Sequence, residues 1–308
     1  MNGKDYFLKE LAGINEVPTL PQVAFKLISL ISDENSSMRQ ISNLIEEDPP
    51  LVAKILRIVN SGYYSVPKEV QSVRQAVVLL GLDEIRNLVF AMSVFSSFYH
   101  IHENEHFNFL GFWKHSAATG KVASVLSTYL NMNSVQSGFI GGLLHDFGRL
   151  IFQLYFPDEY QKVFEYSIEN QVGLYAAEQA AIGFCHDDAG YWLAQKWNLP
   201  EDLSNIIRDH HRIDEAQVEE KTLVALVHVS ERITNIWGIG IEPVPLMETL
   251  EDNPVWKKLL QLHPKLQAFP LEEMTRVFDM HLEEAEAFVD EIAVLHGKAE
   301  EQENEKRH

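Results

Sequence analysis

Cysteine is almost absent from this chain, and Cys185 stands alone. No disulfide can form within it, and a reducing compartment is the natural expectation. Basic residues are scarce beside acidic ones, 25 against 45, which leaves a formal charge of −20. Nucleic-acid backbones and anionic lipid are both held by Lys and Arg, so this balance argues against either as a partner. No stretch approaches the roughly 20 apolar residues of a membrane span. The opening MNGKDYFLKE lacks the apolar run of a signal peptide. A cytoplasmic protein is expected. Also missing are an internal repeat and any convincing alternation of apolar and polar residues of the kind that marks strands.

Helical periodicity is what the chain does have, in stretches separated by turn signals. Ser37 and Gln40 form a capping-box pattern that opens a helix through Leu44 and Ile45. Asp48-Pro49 supplies an N-cap and a first-turn proline for a helix over Leu51 to Val59, ended by Asn60-Ser61-Gly62. Two further helices are expected on either side of Gly81. Later helices are predicted at roughly 108–130, 135–156, 158–170, 173–182, 186–197, 200–212 and 219–237. Glycines and prolines make 238–255 a loop, 270–295 suits one or two amphipathic helices, and the charged 298–308 is expected to fray. The apolar fraction of 46% allows a proper core. The expected architecture is all-α, with an N-terminal bundle over 1–99, a second bundle over 100–240, and a tail over 241–308 that packs back or mediates homodimer formation.

Histidines and carboxylates recur on apolar helix faces in the second bundle. His115 shares a face with Ala118, Val122 and Leu126, and His145-Asp146 sits among Phe139, Leu143, Phe147 and Leu150. His210 and His211 follow Ile206 and Ile207 by four residues, and Glu231 follows Val227 in the same way. His186 and Glu178 complete the set. Taken singly, each histidine reads as a core residue bonded to a backbone carbonyl, and Glu178 as a solvated or capping carboxylate. Buried polar groups without partners cost roughly 1–3 kcal/mol each, more when charged, and a shared metal ion is one way to satisfy several at once. Imidazole with carboxylate suits iron, manganese or zinc.

The order of these residues carries a resemblance. His115, then His145-Asp146 within GLLHDFGRL, then His186, His210-His211 and Glu231 resembles the HD superfamily of metal-dependent phosphohydrolases, and the HD-GYP phosphodiesterases in particular. The blocks VPTLPQVAFKLISLI, EEDPPLVAKILRIVNSGYYSVPKEVQSVRQAVVLLG and FWKHSAATGKVASVLS are similar to the HDOD family, the HD-related output domain of bacterial signalling proteins. The resemblance runs from about Val17 to about Trp237. It implies an HD-like helical bundle preceded by a helical subdomain. It also implies a centre of one or two ions, iron or manganese before zinc, held by His115, His145, Asp146, His186, His210, His211 and Glu231, with Glu178 a weaker candidate.

Several positions depart from the hydrolytic pattern. Glu231 stands where an Asp usually closes the ligand set, and Gly111 stands where HD-GYP enzymes carry a glutamate. Arg149 occupies the position of the phosphate-binding lysine, and arginine is a different donor. No GYP follows DHHRIDE. The favoured expectation is a regulatory output module without turnover that meets signalling proteins through its N-terminal bundle. The alternative is a metal-dependent phosphohydrolase acting on a nucleotide or cyclic dinucleotide, with Arg149 on the phosphate. A nucleotide ligand is compatible with either.

Overall fold

The computed structural model describes the chain except residues 1–2, 15, 32–37, 62–63, 65, 67, 100, 102–106, 133–134, 215, 246–248, 269–270 and 308. The described residues are helical with no strand among them, and none of their helices is long and apolar enough to cross a membrane. In chain order the helices are α1 (Gly3–Gly13), α2 (Gln22–Ile31), α3 (Met38–Glu46), α4 (Pro49–Val59), α5 (Val73–Leu80) and α6 (Leu82–Phe98). Next come α7 (Phe109–Tyr129), α8 (Val135–Leu144), α9 (Phe147–Tyr155), α10 (Pro157–Asn170), α11 (Leu174–Ala181) and α12 (His186–Lys196). The last are α13 (Glu201–Asp209), α14 (Thr222–Ile236), α15 (Pro254–Leu262), α16 (Pro264–Gln267) and α17 (Leu271–Arg307).

The chain divides into two compact units that interleave in sequence. One joins residues 1–18 to 101–282, and the other joins 19–100 to 283–308. A strictly sequential partition at 99 and 240 is therefore not how the chain groups. Burial of α1 explains one departure. Phe7 is 3% exposed and stacks on Phe184 with centroids 5.2 Å apart, with Phe152 and Phe156 edge-on to it. That aromatic cluster ties residues 3–13 to α9 and to the turn before α12.

In the unit built from 19–100, the local signals behave as chemistry dictates. Asp48 accepts from the Leu51 amide at 3.0 Å with Pro49 in the first turn, and Asn60 closes α4. Gly81 has φ +88°, a left-handed conformation that suits glycine, and both ends α5 and begins α6. The expected caps at Ser37 and Gly62 lie outside the described residues, although α3 covers Leu44 and Ile45. Helix α6 is buried through most of its length and packs on α2 and α5.

The other unit is organised around α7, α8 and α14. Gly142 on α8 meets the α7 backbone so closely that a Cβ there would lie 2.7 Å from Gly120 Cα. Gly148 on α9 does the same to α12, where a Cβ would lie 1.8 Å from the His186 carbonyl oxygen. Side chains of one atom permit these approaches, and each brings a histidine-bearing element inward. The single helix expected over 135–156 is broken, because His145 and Asp146 form a turn between α8 and α9. The helix expected to run to 212 stops at Asp209. The charged tail is the end of α17 rather than a frayed segment, since Lys, Ala, Glu, Gln and Arg are all strong helix formers.

Candidate metal centre

Five elements of one unit converge on the Asp146 carboxylate. His115 projects from the middle of α7, and His186 is the first residue of α12. His145 and Asp146 form the α8–α9 turn, with Asp146 at the N-cap position of α9. His210 is the C-cap of α13, His211 follows in the turn, and Glu231 lies on α14. Five of the seven residues therefore sit at helix ends or in the turns between helices, where backbone turns aim side chains that a continuous helix would splay apart.

The distances are short. His186 Nε2 lies 3.0 Å from Asp146 Oδ1, and His210 Nε2 lies 3.8 Å from the same oxygen. His145 Nε2 and His115 Nε2 lie 3.5 and 3.7 Å from Asp146 Oδ2. His186 and His210 bring their Nε2 atoms within 3.2 Å of each other, and His211 Nε2 is 3.6 Å from Glu231 Oε1. Three overlapping groups could each hold a metal ion: Asp146 with His186, His210 and His211; His115 with His145 and Asp146; and His145 with His210 and Glu231.

The opposite ring nitrogens are already occupied. His115 Nδ1 is 2.9 Å from the Ile239 carbonyl, and His145 Nδ1 is 2.6 Å from that of Gly142. His210 Nδ1 meets the Ile206 and Ile207 carbonyls at 3.1 and 3.0 Å. A carbonyl can only accept, so these nitrogens carry the protons and each Nε2 presents a lone pair to the centre. His145 Nε2, His211 Nε2 and Glu231 Oε2 are buried without a hydrogen-bond partner. Orphaned acceptors gathered in one place are what a cation would satisfy, and the donor set fits a divalent metal.

The electrostatics of His145, His211, Asp146 and Glu231 agree with that fit, and His186 departs from it. Burial pushes the His145 imidazole down to about 4 and, with His210 and His186 beside it, holds His211 well below the usual histidine range. Neutral imidazole is the ligating form. Burial opposes ionisation of Asp146, but Arg149, His145 and His186 together hold it well below the ordinary carboxylate value. Glu231 is lowered against burial by His145 and Arg232. His186 resists burial because Glu178 and Asp146 flank it, and it rises to about 10.

Glu178 is buried but belongs to none of the three groups. Its Oε2 accepts from His186 Nδ1 at 2.7 Å and from the His186 amide at 2.8 Å, while Tyr160 donates to Oε1 at 3.1 Å. It stands behind His186 as an orienting carboxylate, which corrects its expected place among the ligands. Arg149 is 1% exposed, with Nε 3.1 Å from Asp146 Oδ2 and Nη2 3.4 Å from Glu242 Oε1. It faces protein carboxylates. Sequence reading missed the residues after α14: Ile239 accepts from His115, Glu242 engages Arg149, and Asn253 lies 3.1 Å from His228 Nε2. His228 in turn donates from Nδ1 to the His210 carbonyl at 2.7 Å. Nothing in a Gly- and Pro-rich loop marks Glu242 in advance.

An all-helical protein with a buried centre of histidines and carboxylates able to hold a divalent metal is the class that this fold and site define. The chain belongs to the HDOD domain family, whose model matches residues 17–213. It is similar to a solved HDOD domain protein of unknown function from Geobacter sulfurreducens, with 24% identity, a TM-score of 0.77, and coverage of 94% of this chain and 96% of that one. It is also similar to a candidate signal transduction protein from Marinobacter aquaeolei VT8, at 18% identity and a TM-score of 0.75, covering 94% of this chain and 66% of the other. At such identities these structures speak to the fold alone. An uncharacterized protein of Treponema pallidum (strain Nichols) is 27% identical over 215 residues, 70% of this chain. The match spans 41% of that relative's length.

Proposed function

We propose that this protein is a bacterial signalling module in which the buried centre holds one or two divalent ions and performs no turnover. Iron or manganese is favoured by the mixed imidazole and carboxylate donors, and zinc also fits. His115, His145, Asp146, His186, His210, His211 and Glu231 would hold the metal. Asp146 belongs to two of the donor groups, which suits two ions sharing its carboxylate. Bound there, a divalent ion would supply the positive charge that the buried oxygens and lone pairs lack.

The observation that carries the reading is enclosure. Donor side chains are between 0% and 5% exposed, and Arg149, which pairs with Asp146, also pairs with Glu242 on its other side. Turnover needs a route for substrate, whereas a structural or sensory ion does not. Signalling partners are proposed to dock on the unit containing α2–α6, where Phe25, Val78 and Leu79 expose 44%, 73% and 46% of their surface.

Elemental mass spectrometry on protein purified without a nickel column or chelator tests the centre. At least one equivalent of iron, manganese or zinc is expected, lost in a His145→Ala/Asp146→Ala variant. Metal-loaded protein is then incubated with phosphomonoesters, nucleotides and cyclic dinucleotides, and no metal-dependent hydrolysis is expected. Robust turnover abolished by His145→Ala would overturn the regulatory reading in favour of a phosphohydrolase.

A further inference from the structure

We infer that Tyr175 is the positioning residue of His211, holding by ring stacking a donor that no hydrogen bond fixes. The five histidines of the centre are not held alike. His115, His145 and His210 each bring Nδ1 to a backbone carbonyl, at 2.9, 2.6 and 3.0 Å, and His186 brings Nδ1 to Glu178 at 2.7 Å. Bonds of this kind set the rotation of an imidazole and the nitrogen that carries its proton. His211 makes no hydrogen bond with either ring nitrogen among the described residues. Something else has to set the rotation of its ring.

A stacked phenol does so. The Tyr175 ring lies 4.3 Å from that of His211, with 28° between their planes. His210 lies as near but is tilted by 46°, and His186 stands edge-on at 5.0 Å. Turning the imidazole about its Cβ–Cγ bond would drive its edge into the phenol ring, so the stack fixes the direction in which Nε2 points. In that direction Glu231 Oε1 lies 3.6 Å away.

Tyr175 is itself tied down. It is the second residue of α11 and is only partly buried. Its hydroxyl donates to Asp187 Oδ2 at 3.2 Å, and Asp187 Oδ1 accepts from Arg212 Nη2 at 2.8 Å. Asp187 follows His186 in the chain, and Arg212 follows His211. The phenol therefore bears on His211 with its face and, through its hydroxyl, on the ion pair that joins the residues next to two donors. Arg212 and Lys4 both reach Asp188, at 3.0 and 3.1 Å, and close the outer side of this network. A ring held by stacking has no acceptor to fix its proton, which makes His211 the most weakly held histidine of the centre.

The experiment is magnetic resonance of the histidine rings in the full chain, isotope-labelled and stripped of metal with a chelator. In wild type the His211 ring protons, assigned by their loss in His211→Gln, are expected upfield through the Tyr175 ring current and in cross-relaxation with the Tyr175 ring. His145 is expected with its proton fixed on Nδ1, and His211 as a mixture of tautomers. Tyr175→Leu should abolish the upfield shift of His211 while His145 and His210 stay in place, and Tyr175→Phe, which keeps the ring, should remain close to wild type. Metal retention is the second readout and rests on the function proposed above. Tyr175→Leu is expected to weaken it about tenfold, as loss of an orienting partner does, with recovery in Tyr175→Phe. Absence of metal from the wild type would overturn the proposed function and leave the ring resonances to decide on Tyr175. The inference is overturned by wild-type His211 protons that show no Tyr175 contact, which needs no variant to fold. It is overturned equally by a folded Tyr175→Leu protein that retains metal as wild type does, or in which His145 and His210 shift as much as His211.

Discussion

His186 is held between two carboxylates, with Nδ1 2.7 Å from Glu178 Oε2 and Nε2 3.0 Å from Asp146 Oδ1. One carboxylate belongs to the candidate metal centre and the other fixes the ring that reaches it. Glu178 is anchored in turn by the Tyr160 hydroxyl, which burial and the Glu178 charge keep protonated far above the ordinary phenol range. Orienting partners of this kind typically contribute about 10–100-fold to metal affinity. Glu178→Gln is therefore expected to weaken metal retention by about that factor while leaving the seven donors in place. Competition with a graded series of chelators measures it. Retention equal to wild type would assign Glu178 to folding alone.

Gly148→Ala tests the close approach of α9 and α12. The added methyl would lie 1.8 Å from the His186 carbonyl oxygen and 2.7 Å from the Gly190 amide nitrogen. Both are backbone atoms, which cannot rotate away, so α12 has to shift. A loss of about 1–3 kcal/mol or more is expected, together with reduced metal content because His186 moves with its helix. Thermal melts and elemental analysis of the same sample check both.

Asp209 predicts a pH dependence. Arg208 donates to it at 2.8 and 3.0 Å and Lys221 at 2.8 Å, and these bonds, led by that of Arg208, bring its carboxyl down to about 2. A lowered folded value means that the stabilisation is complete above the unfolded value of about 4 and is lost as pH falls toward 2. Arg208 and Lys221 are 34% and 33% exposed, so solvent screening limits the contribution to about 0.5–1 kcal/mol. Asp209→Asn should lower the midpoint of urea unfolding at pH 7, with the difference from wild type narrowing below pH 4. A gap that stays constant from pH 7 to pH 3 would remove the carboxylate charge from the account.

His228→Phe removes the donor that satisfies the His210 carbonyl at 2.7 Å. An unsatisfied buried carbonyl costs about 1–3 kcal/mol, and the turn carrying His210 and His211 loses a support. Asn253→Asp removes the amide donor that faces His228 Nε2 but keeps the oxygen that caps the Trp256 amide. Because the two act in one chain of bonds, their effects on unfolding free energy should combine to less than their sum. Strict additivity would show that Asn253 and His228 act independently.

Much of this fold could be read from local chemistry. Asp48-Pro49 and Gly81 mark helix boundaries through capping and left-handed backbone, which depend on one or two residues each. The donor residues stood out because polar side chains on apolar faces are costly without a partner. The break at His145-Asp146 was hidden because Leu143, Leu144, Phe147 and Leu150 are all buried on either side of it, so the apolar pattern runs on unbroken. Glu178 was legible as an interesting carboxylate but not as an orienting one, since that depends on Tyr160 and His186 meeting across helices. Glu242 and the grouping of α1 with later helices depend on contacts 68 or more residues apart, which no periodicity encodes.

The matched family segment ends at residue 213, yet Glu231, Ile239, Glu242 and Asn253 all lie beyond it, and Phe7 lies before residue 17. A fusion protein given only residues 17–213 would inherit the histidine turn at 210–211 without the helix that faces it. Its Asp146 would keep His186 but lose the support that reaches His115 and Arg149 from the later chain. The portable piece of this molecule is thus longer than its recognisable signature, and recombination in nature or in the laboratory has to carry the flanks along with it.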